Sequence, residues 1–184
     1  MKLKLSHIPY IADKIARDLG SAGFIEILTN RGDIIKVAGK YLEENIKQEI
    51  ALQERAASFL EQNVSDFERD GLDEGHLLRM IKKRFADESG FILAWEDRYN
   101  ALSHKIMDEL IDTSIINFKV SEMMVKNIIF KSINAYAKGY KDIENAVNDR
   151  IKNNFKKKLL PGTEEYELVF SKMFEEELRK QGFI

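Results

Sequence analysis

Three histidines, His7, His76 and His104, are the residues of this sequence that would most readily transfer protons or bind a metal ion. Their spacing does not follow the H-x-x-x-H pattern, in which two imidazoles share one face of a helix. The sequence contains no cysteine, which excludes disulfides, cysteine–zinc sites and thiol nucleophiles. We therefore expect surface or helix-capping histidines, and the sequence predicts no metal site, no cofactor and no catalytic residue.

Glycine and carboxylate clusters suggest no reaction either. Gly20 and Gly23 follow a predicted helix, whereas a phosphate-binding glycine loop precedes one. The acidic residues at 43–44 and 175–177 could in principle supply acid–base catalysis. They lie on helices that also carry lysines, where carboxylates usually face solvent. We predict that the protein is not an enzyme.

Two groups of basic residues are of the type that contacts nucleic-acid phosphates. Overall, 29 Lys and Arg face 31 Asp and Glu, so the net charge of −2 gives no general attraction to nucleic acid. We expect acidic residues of the last predicted helix to pair with part of the larger group, which makes nucleic-acid contact the alternative function. The residues concerned are Arg150, Lys152, Lys156, Lys157 and Lys158 in the larger group, and Lys82, Lys83 and Arg84 in the smaller one.

Trp95 stands beside a run of charged residues, Glu96-Asp97-Arg98. A single tryptophan in such a position usually packs in a core, because it carries a large apolar surface. The alternative is a polar network that includes the neighbouring charges. We favour core packing.

Composition and punctuation predict that these residues are positioned by helices. Pro9 and Pro161 are the only prolines, and the chain between them is rich in Lys, Glu, Ala, Ile and Leu, which favour helix. With 44% hydrophobic residues, the chain is too apolar for intrinsic disorder. Gly and small polar residues divide it into six predicted helices, at 7–20, 31–64, 73–89, 93–111, 122–158 and 164–181.

Capping residues and an apolar stripe support these helices. The predicted N-terminal caps are Ser6, Asn30, Ser121 and Thr163, whose side-chain oxygens can accept bonds from the first free N–H groups. Along the fifth helix, apolar residues recur at spacings of three and four, which is typical of a helix-bundle seam. The stripe consists of Ile129, Ile133, Tyr136, Tyr140, Ile143, Val147 and Ile151.

The chain shows signs of an internal repeat. A shift of 91 residues aligns 11–57 with 102–148 without a gap, and the candidate caps Asn30 and Ser121 then coincide. His104 falls opposite Asp13 in this alignment, which suggests the hypothesis of a polar pair across a pseudo-two-fold axis. We interpret the chain as two three-helix units, at 1–92 and 93–184, each of which must bury its apolar face on the other.

The two long helices determine the predicted architecture. At 1.5 Å per residue, the helix at 122–158 would be roughly 55 Å long, which exceeds the diameter of a compact domain of this size. We therefore predict an all-α fold with an antiparallel four-helix bundle base at about 7–50 and 93–141. Two helical hairpin arms, at about 51–92 and 142–184, would project from that base with pseudo-two-fold symmetry.

The sequence also resembles the bacterial family known as domain of unknown function 507. The resemblance covers the whole chain, and its most specific parts are the opening segment and PGTEEYELVF. It implies an all-helical, pseudo-two-fold protein with a four-helix base and two arms, and it implies no catalytic residue, cofactor or substrate. The matching segments are MKLKLSHIPYIADKIARDL at 1–19, MIKKR at 80–84, EDRYNALSHKIMDEL at 96–110, VKNIIF at 125–130 and PGTEEYELVF at 161–170.

From these features we derive three functional hypotheses, given in order of preference. The first is a non-enzymatic cytoplasmic scaffold that binds a protein partner, with a homodimer as one form, through the arms or the cleft between them. The second is a nucleic-acid-associated protein that uses the basic groups at 150–158 and 82–84. The third is an enzyme with a site between the arms. No uncharged stretch approaches the roughly 20 residues that a membrane span requires, so we expect no membrane partner and no signal peptide.

Overall fold

The computed structural model describes residues 3–63, 73–154 and 159–181. Within these ranges the protein is mainly helical, which confirms the all-α prediction at the level of fold class. The described helix boundaries lie within two residues of those expected, apart from the end of the fifth helix, which is described as far as residue 154 and was expected at 158. No helix in the described ranges is both long and apolar enough to cross a membrane. After a 3-10 turn at Leu5–His7 the helices are α1 Ile8–Ser21, α2 Arg31–Gln62, α3 Glu74–Ser89, α4 Trp95–Asp112, α5 Glu122–Asn154 and α6 Glu164–Lys180.

Two short strands form in addition to the helices of the all-α prediction. Strand β1, Ile25–Ile27, pairs antiparallel with β2, Ile116–Phe118. At the centre of this ladder Glu26 lies opposite Asn117, and these two positions are 91 residues apart. Each strand has only three residues, too few for an alternation of period two to stand out in the sequence.

The helix starts agree only in part with the predicted caps. The Asn30 side chain accepts a bond from the Asp33 N–H, and the Thr163 side chain accepts one from the Tyr166 N–H. Helix α5 begins at Glu122, directly after Ser121. Ser6 is not the cap of α1, because it lies inside the 3-10 turn and α1 begins two residues later. Within the 3-10 turn, the N–H of Ile8, the first residue of α1, donates to the Leu5 carbonyl instead.

One central core joins four helices. Helix α1 packs on α2 and α5, and α4 packs on the same two helices. The core contains the fully buried Ile15, Ile34, Ile106 and Ile129. The first halves of α2 and α5 contribute to it, and their second halves extend beyond it, because α2 and α5 have 32 and 33 residues while α1 and α4 have 14 and 18.

Each extension has a small core of its own. The second half of α2 packs on α3 through a cluster that includes Leu52 and Phe85, and we call this unit the α2–α3 pair. The second half of α5 packs on α6 through a cluster that includes Ile143 and Phe174, and we call this unit the α5–α6 pair. The apolar stripe of α5 is therefore buried in two different cores, with Ile129 in the central one and Ile143 in the outer one.

Candidate functional site

The histidines lie apart, and one of them contradicts the expectation. His76 and His104 are exposed, as predicted. Asp13, which the 91-residue alignment places opposite His104, forms ion pairs with Arg17 and Arg31. His7 is buried, with 2% of its surface exposed, although its Nδ1 does accept the Lys4 N–H at 3.1 Å in the manner of a cap. Burial and the nearby Lys4 charge lower the pKa of His7 to about 4, so His7 is neutral near pH 7.

Acidic and histidine side chains in the described ranges do not converge as a metal site requires. No group of three or more of them is placed to hold a metal ion in residues 3–63, 73–154 and 159–181.

The basic residues proposed for phosphate contact are partly engaged with other side chains. Arg150 forms an ion pair with Glu177 at 2.9 Å, as expected for acidic residues of the last helix. Arg84 forms one with Glu88 at 2.9 Å. Lys82 donates to Gln53 at 3.1 Å, whereas Lys83 and Lys152 are exposed. Lys156, Lys157 and Lys158 lie outside the described residues. The smaller group belongs to the α2–α3 pair, and the described part of the larger group belongs to the α5–α6 pair.

A cleft of about 450 Å³ lies between α2 and α4, and we call it the α2–α4 groove. The two helices run antiparallel, since Tyr41 bonds to Glu109 while Glu49 pairs with Arg98 further along α2. The turn that joins α3 to α4 closes one end. The lining residues are Tyr41, Glu44, Asn45, Gln48, Ala51, Leu52 and Arg55 of α2, Ser89, Gly90, Phe91 and Ile92 of the turn, and Arg98, Ala101, Leu102 and Lys105 of α4.

The groove combines apolar surface with more cations than carboxylates. Three of its lining residues are cationic, Arg55, Arg98 and Lys105, and one is a carboxylate, Glu44. Arg55 lies over the Phe85 ring at 3.9 Å. Groups of this kind favour a ligand that carries both apolar and negative parts.

Hydroxyl groups along the groove donate their protons to acceptors within the protein. The Tyr41 hydroxyl donates to Glu109 at 2.9 Å, and this hydrogen bond raises the pKa of Tyr41. The Ser89 hydroxyl donates to the Phe85 carbonyl at 2.8 Å, a bond between neighbouring turns at the end of α3. Glu109 thus disfavours the phenolate form of Tyr41, and the carbonyl that accepts from Ser89 is not a base that could activate a hydroxyl nucleophile.

A buried ionic network lies beside the groove, where the α2–α3 pair leaves the central core. Arg98 and Glu49, which are 4% and 8% exposed, form an ion pair at 3.0 Å. Lys82 lies 4.0 Å from the same carboxylate. The Arg98 guanidinium also lies over the Phe91 ring at 5.4 Å, and its Nε–H has no acceptor among the described residues. This network links α2, α3 and α4 through side chains.

The corresponding place on the α5–α6 pair is aromatic. Tyr140 contacts His7 with ring centroids 4.0 Å apart, and Phe174 with centroids 4.7 Å apart. Tyr136 lies next to them, and burial raises its pKa. His7 and Tyr140 stand 91 positions before Arg98 and 91 positions after Glu49, respectively.

Sequence reasoning found part of this site. Trp95 is partly buried against the central core and packs edge-on against Tyr99, in agreement with the preference for core packing. The alternative, a polar network of the neighbouring charges, is present at Arg98, which pairs with Glu49. The partner Glu49 was missed because it is distant in sequence, and the groove was missed because its space depends on small residues such as Ala51 and Ala101 on two different helices.

Comparison with known families identifies the family of this chain. The model of the family described as protein of unknown function (DUF507) matches residues 1–183, and the chain therefore belongs to that family. No curated protein matches the chain.

Proposed function

We propose that this member of the DUF507 family is a non-enzymatic cytoplasmic interaction protein that holds a partner polypeptide in the α2–α4 groove. The observation that carries the proposal is the form of the groove. It runs between two antiparallel helices, with apolar residues such as Leu52 and Ile92 beside the cations Arg55 and Lys105. Grooves of this kind accept the apolar face of a helix, while charges at the edge select the partner.

We propose that the architecture behind this function is a pseudo-two-fold pair of three-helix repeats, at 1–92 and 93–184. Several boundaries support it, because α1 and α4 end 91 residues apart, α2 and α5 begin 91 residues apart, and β1 and β2 follow the same offset. The mutual packing of α1, α2, α4 and α5 supports a four-helix base. The α2–α3 and α5–α6 pairs would then be its two arms.

The chemistry of the groove supports binding rather than catalysis. The described residues that line it include no histidine, and the hydroxyls of Tyr41 and Ser89 donate to acceptors within the protein. A hydrolase or transferase would need a nucleophile beside a base, or a metal-activated water. A recognition surface needs only complementary shape and charge.

A photocrosslinking experiment in the native cell tests the proposal. A photoreactive amino acid is placed at Gln48, which is exposed and lines the groove, and in a matched control at Lys141, an exposed residue of α5. We expect one polypeptide to be crosslinked from position 48 and not from position 141. Substituting Ala101→Trp should fill the groove and abolish the crosslink. Equal crosslinking from both positions, or from neither, would contradict the proposal.

Nucleic-acid binding is the second candidate, and the exposure of Lys83 and Lys152 favours it. It ranks lower because Arg84 and Arg150 already form ion pairs with carboxylates, so they present less charge to a phosphate.

A salt titration separates the two candidates. If the lysines at 156–158 bind phosphates, a triple variant with Lys156→Glu, Lys157→Glu and Lys158→Glu should be less sensitive to salt. The slope of the logarithm of the nucleic-acid binding constant against the logarithm of the salt concentration should fall in magnitude by about three. The control substitutions, Lys119→Glu, Lys131→Glu and Lys138→Glu, make the same change of charge on exposed positions elsewhere. We expect weak binding of RNA and DNA by the wild type, with the same loss in both triple variants. A loss confined to 156–158 would favour nucleic acid.

A further inference from the structure

Helix α6 carries an exposed face that no other described element covers. Glu164, Leu168, Ser171 and Glu175 recur at spacings of four, three and four, so they lie along one side of the helix. All four are exposed, and Leu168 is 74% exposed, although it is a large apolar residue. The opposite side of α6, with Val169 and Met173, packs on α5. The outer side, which we call the α6 face, thus has an apolar centre between two carboxylates. Of these, Glu175 also pairs with Arg179 of the same helix at 2.6 Å, while its side chain is 58% exposed.

This face matches the α2–α4 groove in length. Along α2 the groove extends from Tyr41 to Arg55, which is about 21 Å at the rise of an α-helix. Helix α6 has 17 residues and is about 25 Å long. The helix can therefore lie along the groove over its whole extent.

The two surfaces also match in charge. Lys105 lies opposite the stretch of α2 between Tyr41 and Glu49, and Arg55 lies further along α2, so the two cations stand near opposite ends of the groove. On the α6 face, Glu164 and Glu175 are about 16 Å apart. A helix in the groove would set one carboxylate near each cation.

These cations can accept a second charge. Lys105 is exposed and forms no ion pair within the described ranges. Arg55 is bound to Glu88 at 3.3 Å, but its side chain is 56% exposed, and a guanidinium has five N–H donors. Leu168 would lie between them, against the apolar residues of the groove.

We infer that the occupant of the α2–α4 groove is helix α6 of a second copy of this chain. The inference rests on the proposed function, because it names the partner of the same groove. The groove and the α6 face are different patches of one molecule. Their contact is therefore heterologous, and two copies are joined either by exchanging α6 helices reciprocally or by forming longer chains.

Sedimentation of the full chain with two charge-reversal variants tests the inference. The groove variant carries Arg55→Glu and Lys105→Glu, and the face variant carries Glu164→Lys and Glu175→Lys. We expect the wild type to show an average mass above the 21.3 kDa of one chain, rising with protein concentration. Each variant alone should associate about tenfold more weakly, because like charges then face each other.

Mixing the two variants should restore association, since each groove then meets a face of opposite charge. This rescue cannot result from misfolding, because both partners must be folded to bind. A control variant, Lys131→Glu with Lys138→Glu, alters two exposed cations of α5 and should associate like the wild type. Substituting Leu168→Ser should weaken association without changing the charge.

Two results would overturn the inference. One is a wild type that sediments as a single chain at every concentration, and the other is an associating protein that none of the groove, face or Leu168 variants affects. If the groove is crosslinked to a different polypeptide while the chain stays monomeric, the proposed function stands and the second-copy inference fails. If the chain associates through the groove, the crosslink from position 48 should join two copies of this sequence.

Discussion

The two places where an outer helix pair leaves the central core are built from different chemistry. On the α2–α3 side, Glu49 and Arg98 form a buried ion pair. On the α5–α6 side, the positions 91 residues away are Tyr140 and His7, which meet through their rings. In both places a residue in the middle of a long helix contacts a residue that lies in the first turn of a short helix or directly before it.

This difference shows that similar packing geometry accepts either charge or aromatic surface. A buried ion pair recovers little of its desolvation cost, but breaking it is expensive, so it favours one arrangement over others. Aromatic rings gain mainly from the area they bury and tolerate small shifts. The groove adjoins the ionic side, where Arg98 both lines the groove and anchors the α3–α4 turn through Phe91.

The largest expected effect tests what the two pairs have in common. Ile143 and Leu52 are 91 positions apart, and both are buried in the small core of their pair. Substituting Ile143→Asp should lower the free energy of unfolding by about 5 kcal/mol, because it buries an unpaired charge. Leu52→Asp should cost about 4 kcal/mol, since Leu52 is 6% exposed against 0% for Ile143. Urea denaturation measures both, and a variant as stable as the wild type would show that its pair has no real core.

The next effect tests the buried ion pair of Glu49 and Arg98, at the place where the α2–α3 pair leaves the central core. Arg98→Met should destabilise the protein by about 3–5 kcal/mol, because Glu49 would stay buried with only the more distant Lys82, at 4.0 Å, beside it. Adding Glu49→Met should recover most of that loss. Arg84→Met, which breaks the exposed pair with Glu88, is the control and should cost less than about 1 kcal/mol. If the double variant is no more stable than Arg98→Met, the ion pair is not the reason for the loss.

The contact of His7 with Tyr140, where the α5–α6 pair leaves the central core, should make the stability of the protein depend on pH. The pKa of His7 is about 4 in the folded protein and 6.5 when unfolded, so the unfolded chain binds more protons between those values. Stability should therefore be highest above pH 6.5 and fall as the pH drops toward 4, by up to about 3 kcal/mol.

The substitution His7→Phe isolates this contribution from that of the carboxylates. Its unfolding free energy, measured from pH 7.5 to 4, should fall less steeply than that of the wild type, because phenylalanine takes up no proton. Parallel curves over that range would mean that His7 is protonated equally in both states.

The smallest effects compare the caps of the two outer helices. Asp73 accepts the His76 N–H at 2.9 Å at the start of α3, and Thr163 accepts the Tyr166 N–H at 3.3 Å at the start of α6. Asp73→Ala should cost about 1–2 kcal/mol and Thr163→Ala about 0.5–1 kcal/mol, because the bond to Asp73 is shorter and charged. Hydrogen exchange in the first turn of each helix should rise accordingly. A larger effect at Thr163 would reverse this part of the comparison.

Local patterns were enough to predict the helices. The caps Asn30 and Thr163 and the stripe from Ile129 to Ile151 depend on residues at most four positions apart, so the sequence contains the whole interaction. The breaks between helices are also local, because glycine and proline change which backbone conformations are available at their own positions. The 91-residue offset was also visible, and the register of β1 and β2 follows it.

The chemistry of the site depended on contacts between distant segments. His7 was expected at the surface or at a helix cap because its spacing to the other histidines matches no metal-binding pattern, and the packing of Tyr136 and Tyr140 against it accounts for its burial. The ladder of β1 and β2 likewise joins two segments about 90 positions apart, each too short to show a pattern alone.

The sequence by itself thus determined which segments are helical and which of their faces are apolar, since both follow from the spacing of neighbouring residues. Only the tertiary structure decided that Glu49 meets Arg98, and that Ala51 and Ala101 leave a groove between α2 and α4. The physical reason is that burial, ion pairing and empty space are properties of two surfaces at once. One-dimensional spacing describes each surface separately, and the crossing of the helices decides which residues face each other.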